Sequence, residues 1–219
     1  VRRVPAGLTL ALAAAGAACS DGVGTHACFD SGVQPYAYHA PGDTSVVFRW
    51  PAAFHPVRVY AEPTRLLPGD VDTAMRVWVN AFRCGELSLL RVTDSAAADI
   101  VVRAPAALPP FGPASVTVAA DSVTACRGRT DVELDTAGRV LRPIRSYIAP
   151  ASLDSASVAA CQRFVSAHEL GHALGLFSHS SDPADLMYAQ PWRRLLTARD
   201  RYTIQLLYHR DPTVAPEPR

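Results

Sequence analysis

The chain contains no lysine: all 21 basic residues are arginine, against 20 acidic residues and a net charge of +1. That near-neutral balance gives no footing for a nucleic-acid partner, whose phosphates demand a concentrated positive surface. The arginine bias fits GC-rich coding DNA, and Val1 in place of Met fits a GTG start codon read literally; both point to a bacterial source. No Cys-x-x-Cys pair occurs among the 5 cysteines, so a structural zinc knuckle is not expected. No apolar run is long enough to span a bilayer comfortably, and there is no internal repeat. What is there is a chain of 219 residues, 49% hydrophobic, the size of one domain with a single core.

Arg2 and Arg3 stand before a short apolar run over residues 8–18, and Gly16-Ala17-Ala18 lead directly into Cys19. That order reads as a secretory signal over residues 1–18. The cysteine behind small residues resembles the processing site of bacterial lipoproteins, where it is lipidated and becomes the mature N-terminus, although Gly16 holds the place of the usual Leu. The expectation is an exported protein whose only contact with a membrane is a lipid anchor at Cys19. The alternative is an ordinary cleaved signal, leaving the protein periplasmic or secreted. Cys28, Cys84, Cys126 and Cys161 then suit disulfides in an oxidising compartment, with three connectivities open. A bridge between Cys126 and Cys161 would tie the helix described next to the loop before it.

The densest chemistry lies in His168-Glu169-Leu170-Gly171-His172-Ala173-Leu174-Gly175-Leu176-Phe177-Ser178-His179. Two histidines four apart share one face of a helix, one turn above the other, close enough to hold one metal ion. Glu169 projects from a neighbouring part of the surface, where a general base for a metal-activated water belongs. Gly175 suits a helix end, and a sharp turn there can bring His179 back to the same ion. A core helix with merely hydrogen-bonded histidines is the competing reading. It is disfavoured because three of the seven histidines fall within these twelve residues, inside an apolar run.

The segment resembles the zinc motif of the metzincin metallopeptidases, H-E-x-x-H-x-x-G-x-x-H, and Ser180-Ser181-Asp182-Pro183-Ala184-Asp185-Leu186-Met187-Tyr188 resembles the Met-turn region of the matrixin branch. The resemblance implies that His168, His172 and His179 bind one catalytic zinc, that Glu169 is the base, and that Met187 forms an apolar floor beneath the metal. The chain departs from the pattern at one place. Ser178 stands where the third histidine is usual, so the loop after Gly175 carries one extra residue. Imidazole is the better zinc donor, and loops absorb single insertions, so His179 is preferred to Ser178. Tyr188 follows the methionine directly and is not taken as a ligand. Arg83-Cys84-Gly85 resembles the inhibitory cysteine triplet of matrixin prodomains, but it ends a helix and Glu86-Leu87 breaks the pattern, so a disulfide role is preferred.

Elsewhere, strands are expected at residues 46–50, 57–60, 87–92, 100–103, 116–119 and 140–148. A helix should open at Pro68-Gly69-Asp70 and run to about Arg83, burying Val71, Ala74, Met75, Trp78, Val79 and Phe82. Residues 126–138 read as polar and turn-rich. Thr197-Ala198-Arg199-Asp200 caps a last helix through Tyr208, with Tyr202, Leu206 and Leu207 inward. Arg49-Trp50-Pro51, Val57-Arg58-Val59-Tyr60 and Ala98-Asp99-Ile100-Val101-Val102 also resemble the matrixin sheet.

The expected fold is α+β, a metzincin-like zincin domain. A twisted mixed sheet packs with two long helices, and a small C-terminal subdomain holds the Met-turn and the final helix. The expected organisation is a signal at 1–18, an exported tether at 19–45, the metallopeptidase domain at 46–210 and a disordered tail at 211–219. The expected activity is hydrolysis of peptide bonds in a peptide or protein substrate by a monomer. The alternative is an inactive binding lipoprotein on the same fold; the retained Glu169 argues against it. No calcium site is legible, because Asp121, Asp131 and Asp135 read as solvated turns.

Overall fold

The computed structural model describes residues 28, 32–40, 42–64, 66–110, 115–123, 126–150 and 154–219. The expected signal and Cys19 lie outside the described residues. Strands β1 (Val57–Ala61), β2 (Leu89–Val92), β3 (Ile100–Arg103), β4 (Ser115–Val123), β5 (Cys126–Glu133) and β6 (Ile144–Pro150) form one mixed sheet, ordered β2-β1-β3-β6-β5-β4. Pairing is parallel from β2 through β6 and antiparallel at β6–β5 and β5–β4. β1 alternates buried and half-buried positions, as a strand with one face on the core should, whereas β3 buries Ile100, Val101 and Val102 in succession.

Helix α1 (Leu67–Val79) carries Pro68 in its first turn, where no intrahelical N–H is needed. Leu67, Val71, Ala74, Met75 and Trp78 recur at helical spacing and form its buried face. It stops at Asn80, short of Arg83, because Ala81 and Phe82 donate to carbonyls three residues back in tighter turns. Helix α2 (Ser155–Ala173) starts from Asp154, whose carboxylate accepts from the N–H groups of Ala156 and Ser157. Two buried tryptophans brace it by donating indole N–H groups to its carbonyls, Trp78 to Ala167 at 2.7 Å and Trp50 to Ala173 at 3.0 Å. Helix α3 (Ala198–Tyr208) opens with a reciprocal capping box between Thr197 and Asp200. Disulfides Cys28–Cys84 and Cys126–Cys161 select one of the open connectivities; the second ties the start of β5 to α2.

Several expectations are corrected. Residues 46–50 contribute a single bridge, Phe48 to Val214, rather than a strand. Residues 126–133 are strand β5 rather than turns; Thr130 bonds Glu169 on one face, and Arg129 and Asp131 pair on the other. Asp131 is ion-paired to the buried Arg129 at 2.8 Å rather than solvated. The inward face of α3 uses Thr203, Ile204, Gln205, Leu207 and Tyr208, while Tyr202 and Leu206 are only half-buried.

The two flanks also differ from a tether and a disordered tail. Tyr36, Tyr38 and Ala40 are buried in the core; Tyr36 bonds Thr203 and Asp200 on α3, and the Tyr38 carbonyl accepts from the Phe177 N–H. Residues 211–219 are tied down as well. Val140 exchanges backbone hydrogen bonds with Ala215 and Glu217, and Thr213 donates to Val47. Arg219 joins Arg58 and Arg142 on the carboxylate of Asp99, which is fully buried. Burial alone would raise the Asp99 carboxyl, but hydrogen bonds from Arg58 and Arg219 outweigh it and hold it below the ordinary aspartate range.

Candidate metal centre

The two helical histidines lie on the last turns of α2 and are fully buried, while His179 is half-buried on the loop that follows. How the helix ends decides where that loop goes. Gly175 has φ +113, a left-handed conformation that an L side chain resists, and a Cβ there would come within 2.2 Å of the Phe48 carbonyl oxygen. With Gly175 so turned, its N–H bonds the His172 carbonyl at 3.0 Å and the Leu176 N–H bonds the Gly171 carbonyl at 3.1 Å. This is the paired closure of a Schellman motif. The chain doubles back and His179 joins the other two. Ring centroids are 4.7 Å apart for His168 and His172, 5.3 Å for His168 and His179, and 5.0 Å for His172 and His179.

The hydrogen bonds fix the tautomers. Nδ1 of His168 lies 2.8 Å from the Leu186 carbonyl oxygen, and Nδ1 of His172 contacts the Leu176 carbonyl oxygen. A carbonyl only accepts, so each Nδ1 carries the proton and each Nε2 presents a lone pair. Those two Nε2 atoms face each other at 3.0 Å. Two lone pairs at that distance repel unless a proton or a metal ion is shared between them. One nitrogen from each of the three histidines falls within 4.8 Å of the others. Two imidazoles so oriented, with the third beside them, fit zinc, which takes such donors and keeps a fourth position for water or substrate. Among the described residues, the other group with metal-like spacing, Cys28, Cys84 and Glu86, has both cysteines committed to a disulfide.

Glu169 is fully buried between α2 and β5. Its Oε2 accepts from the Thr130 hydroxyl at 2.7 Å, and Thr130 lies 2.9 Å from the Ser146 hydroxyl on β6. Gly128 makes room for the carboxylate: a Cβ there would fall 1.9 Å from Oε1. Gly128, Thr130 and Ser146 were not foreseen. The signal was available in the two-residue alternation of Gly128, Thr130 and Val132, which puts all three on the α2 side of a strand.

Met187 is fully buried against Gly171 and Trp78. The segment carrying it is held by a buried polar network. Asp200 accepts from the Leu186 N–H at 2.8 Å, the Met187 N–H at 3.4 Å, the Thr197 N–H at 2.9 Å and the Tyr36 hydroxyl at 2.9 Å. Asp185 accepts from the Ser180 hydroxyl at 2.6 Å and pairs with Arg199 at 3.0 Å. The Ser180 N–H in turn donates to the Met187 carbonyl at 2.8 Å. The residue after His179 and the carbonyl that orients His168 are thus fixed by one set of carboxylates. Burial and the neighbouring Asp200 push the Tyr36 phenol well above its ordinary range, so it remains a donor.

The structure therefore brings His168, His172, His179, Glu169 and Met187 together on and around the end of α2. Ser178 is turned away and donates to the His39 carbonyl at 2.6 Å. Tyr188 is half-buried, its N–H bonded to the Asp185 carbonyl at 3.3 Å. Residues 66–209 match the family model described as Matrixin. No curated protein matches the chain.

Proposed function

The chain belongs to the matrixin family, and we propose that it is an exported zinc-dependent endopeptidase in which Glu169 is the general base. The observation that carries the reading is the set of three convergent imidazoles, two of them oriented by backbone carbonyls, beside a buried carboxylate. His168, His172 and His179 would hold the ion, and the ion would supply Lewis-acid polarisation of the peptide carbonyl and acidify a water. Glu169 would take the proton from that water and pass it to the leaving amine, as a general base that then acts as an acid. The Thr130 hydroxyl would keep the Glu169 carboxylate in one orientation through both transfers. Met187 would keep the floor of the site apolar and dry.

Export and anchoring belong to the same proposal. They are supported by Arg2-Arg3, the apolar run before Cys19, and two disulfides that suit an oxidising compartment.

Glu169→Gln separates activity from metal binding. Zinc content should stay at one ion per chain while peptide cleavage falls by at least about 100-fold, the scale of general-base loss. His179→Ala should lose zinc affinity and activity together. Full turnover in Glu169→Gln would refute the assignment of the base, and a wild-type protein that takes up no zinc would refute the reading as a whole.

A further inference from the structure

We propose that residues 36–40 form a strap that is a working part of the metal centre, holding the lengthened 175–179 loop so that His179 reaches the other two histidines. The proposal rests on the zinc reading above and adds a component to it. The loop carries one residue more than the family pattern, so something must absorb that residue without moving the third imidazole.

The contacts show what absorbs it. The Phe177 N–H donates to the Tyr38 carbonyl at 3.0 Å, and the Ser178 hydroxyl donates to the next strap carbonyl, that of His39, at 2.6 Å. These two loop residues directly precede His179. Phe177 is itself buried and stacks on Phe48 with ring centroids 6.1 Å apart, so the backbone between Gly175 and His179 is pinned on two sides. Ser178, standing where a histidine is usual, faces the strap instead of the metal.

The strap is anchored elsewhere. The Tyr36 N–H donates to the Thr203 hydroxyl at 3.3 Å, and the Tyr36 phenol donates to Asp200 at 2.9 Å, both on α3. Tyr36, Tyr38 and Ala40 are all buried. Upstream, Cys28 is bonded to Cys84 beyond the end of α1, which limits how far the strap can leave the domain. Ser178 is thus a positioning residue. Its hydroxyl is committed to the His39 carbonyl, and it acts through the path of the chain leading to His179.

The test uses the full chain as Ser178→Ala, Ser178→Thr and Tyr36→Phe, with two readouts. Zinc affinity is measured by competition with a chromogenic chelator, and amide exchange at Phe177 is followed in the metal-free protein. Ser178→Ala should weaken zinc by about three- to tenfold, the scale of one hydrogen bond, and speed exchange at Phe177. Ser178→Thr retains the hydroxyl and should restore both. Tyr36→Phe loosens the strap from α3 and should move both readouts in the same direction. An effect passing only through Asp200 would leave the Phe177 amide unchanged.

Zinc affinities of Ser178→Ala and Tyr36→Phe within twofold of wild type, or unchanged exchange at Phe177, would overturn the strap. A wild-type protein that binds no zinc would overturn the peptidase reading itself, so the two failures are told apart.

Discussion

Asp200 offers a quantitative test of how the Met-turn is held. Its two oxygens are not equivalent. Oδ2 accepts from the Leu186 and Thr197 N–H groups at 2.8 and 2.9 Å, whereas Oδ1 accepts from the Tyr36 hydroxyl at 2.9 Å and, more distantly, from the Met187 N–H at 3.4 Å. Asp200→Asn can place its amide nitrogen at the Oδ1 position. There the Tyr36 hydroxyl can rotate to accept and Oδ2 keeps both short bonds, so what is lost is the acceptor for the Tyr36 O–H and the long Met187 contact. The expected cost is about 1–2 kcal/mol. Asp200→Ala removes every acceptor, leaving three N–H groups and a phenol buried without it and breaking the capping box. At about 1 kcal/mol or more for each stranded donor, the loss should reach at least about 4 kcal/mol. At about 2–4 °C per kcal/mol for a domain of this size, the Ala variant should unfold roughly 8–16 °C below wild type and the Asn variant only about 2–8 °C below. Thermal unfolding of the metal-free proteins, followed by circular dichroism, reads both. Equal unfolding temperatures for the two variants would refute the reasoning, because Asn keeps the acceptor at Oδ2 and Ala keeps none.

Two further outcomes follow from features already described. Replacing Cys126 and Cys161 together by Ser opens a loop with a sequence separation of 35, and the lost loop-closure restraint should cost about 4 kcal/mol; a urea-unfolding difference under about 1 kcal/mol would contradict it. Cys19→Ala should move the protein from the membrane fraction to the soluble fraction on cell fractionation, and a variant that stays membrane-bound would end the lipid-anchor proposal.

The parts of the fold that were legible are those whose residues announce a period. α1 shows its core face as Val71, Ala74, Met75 and Trp78; β1 shows as an alternation and β3 as a β-branched run. The zinc motif was legible because helix geometry alone brings His168 and His172 together. What escaped has a common cause: its residues are polar or small, and their partners lie far along the chain. β5 reads as turn until Thr130 is seen bonded to Glu169, 39 residues away. The buried face of α3 was misplaced because Thr203 and Gln205 point inward to satisfy Tyr36 and Ala81, 167 and 124 residues away. The strap reads as a tether on its Gly, Ser, Asp and Pro content, yet Tyr36 and Tyr38, two residues apart, are a pair a solvated linker has no use for. The C-terminal segment reads as frayed for its prolines, yet it is held by backbone hydrogen bonds to Val140 and Val47 and by the charge of Arg219 on Asp99.

The helix closes at Gly175 before the extra residue is reached, and this bears on how such centres are recognised from sequence. The interval between His168 and His172 is set by the pitch of α2 and cannot change without turning one imidazole away. The interval between His172 and His179 is set by a loop whose course is dictated from outside, so it can lengthen as long as something supports the added length. A search that demands a fixed count of residues between the second and third histidines applies to a loop the rigidity that belongs only to the helix. It would discard chains of this kind. A search that fixes the helical pair and the closing glycine, and lets the third histidine float, would retain them.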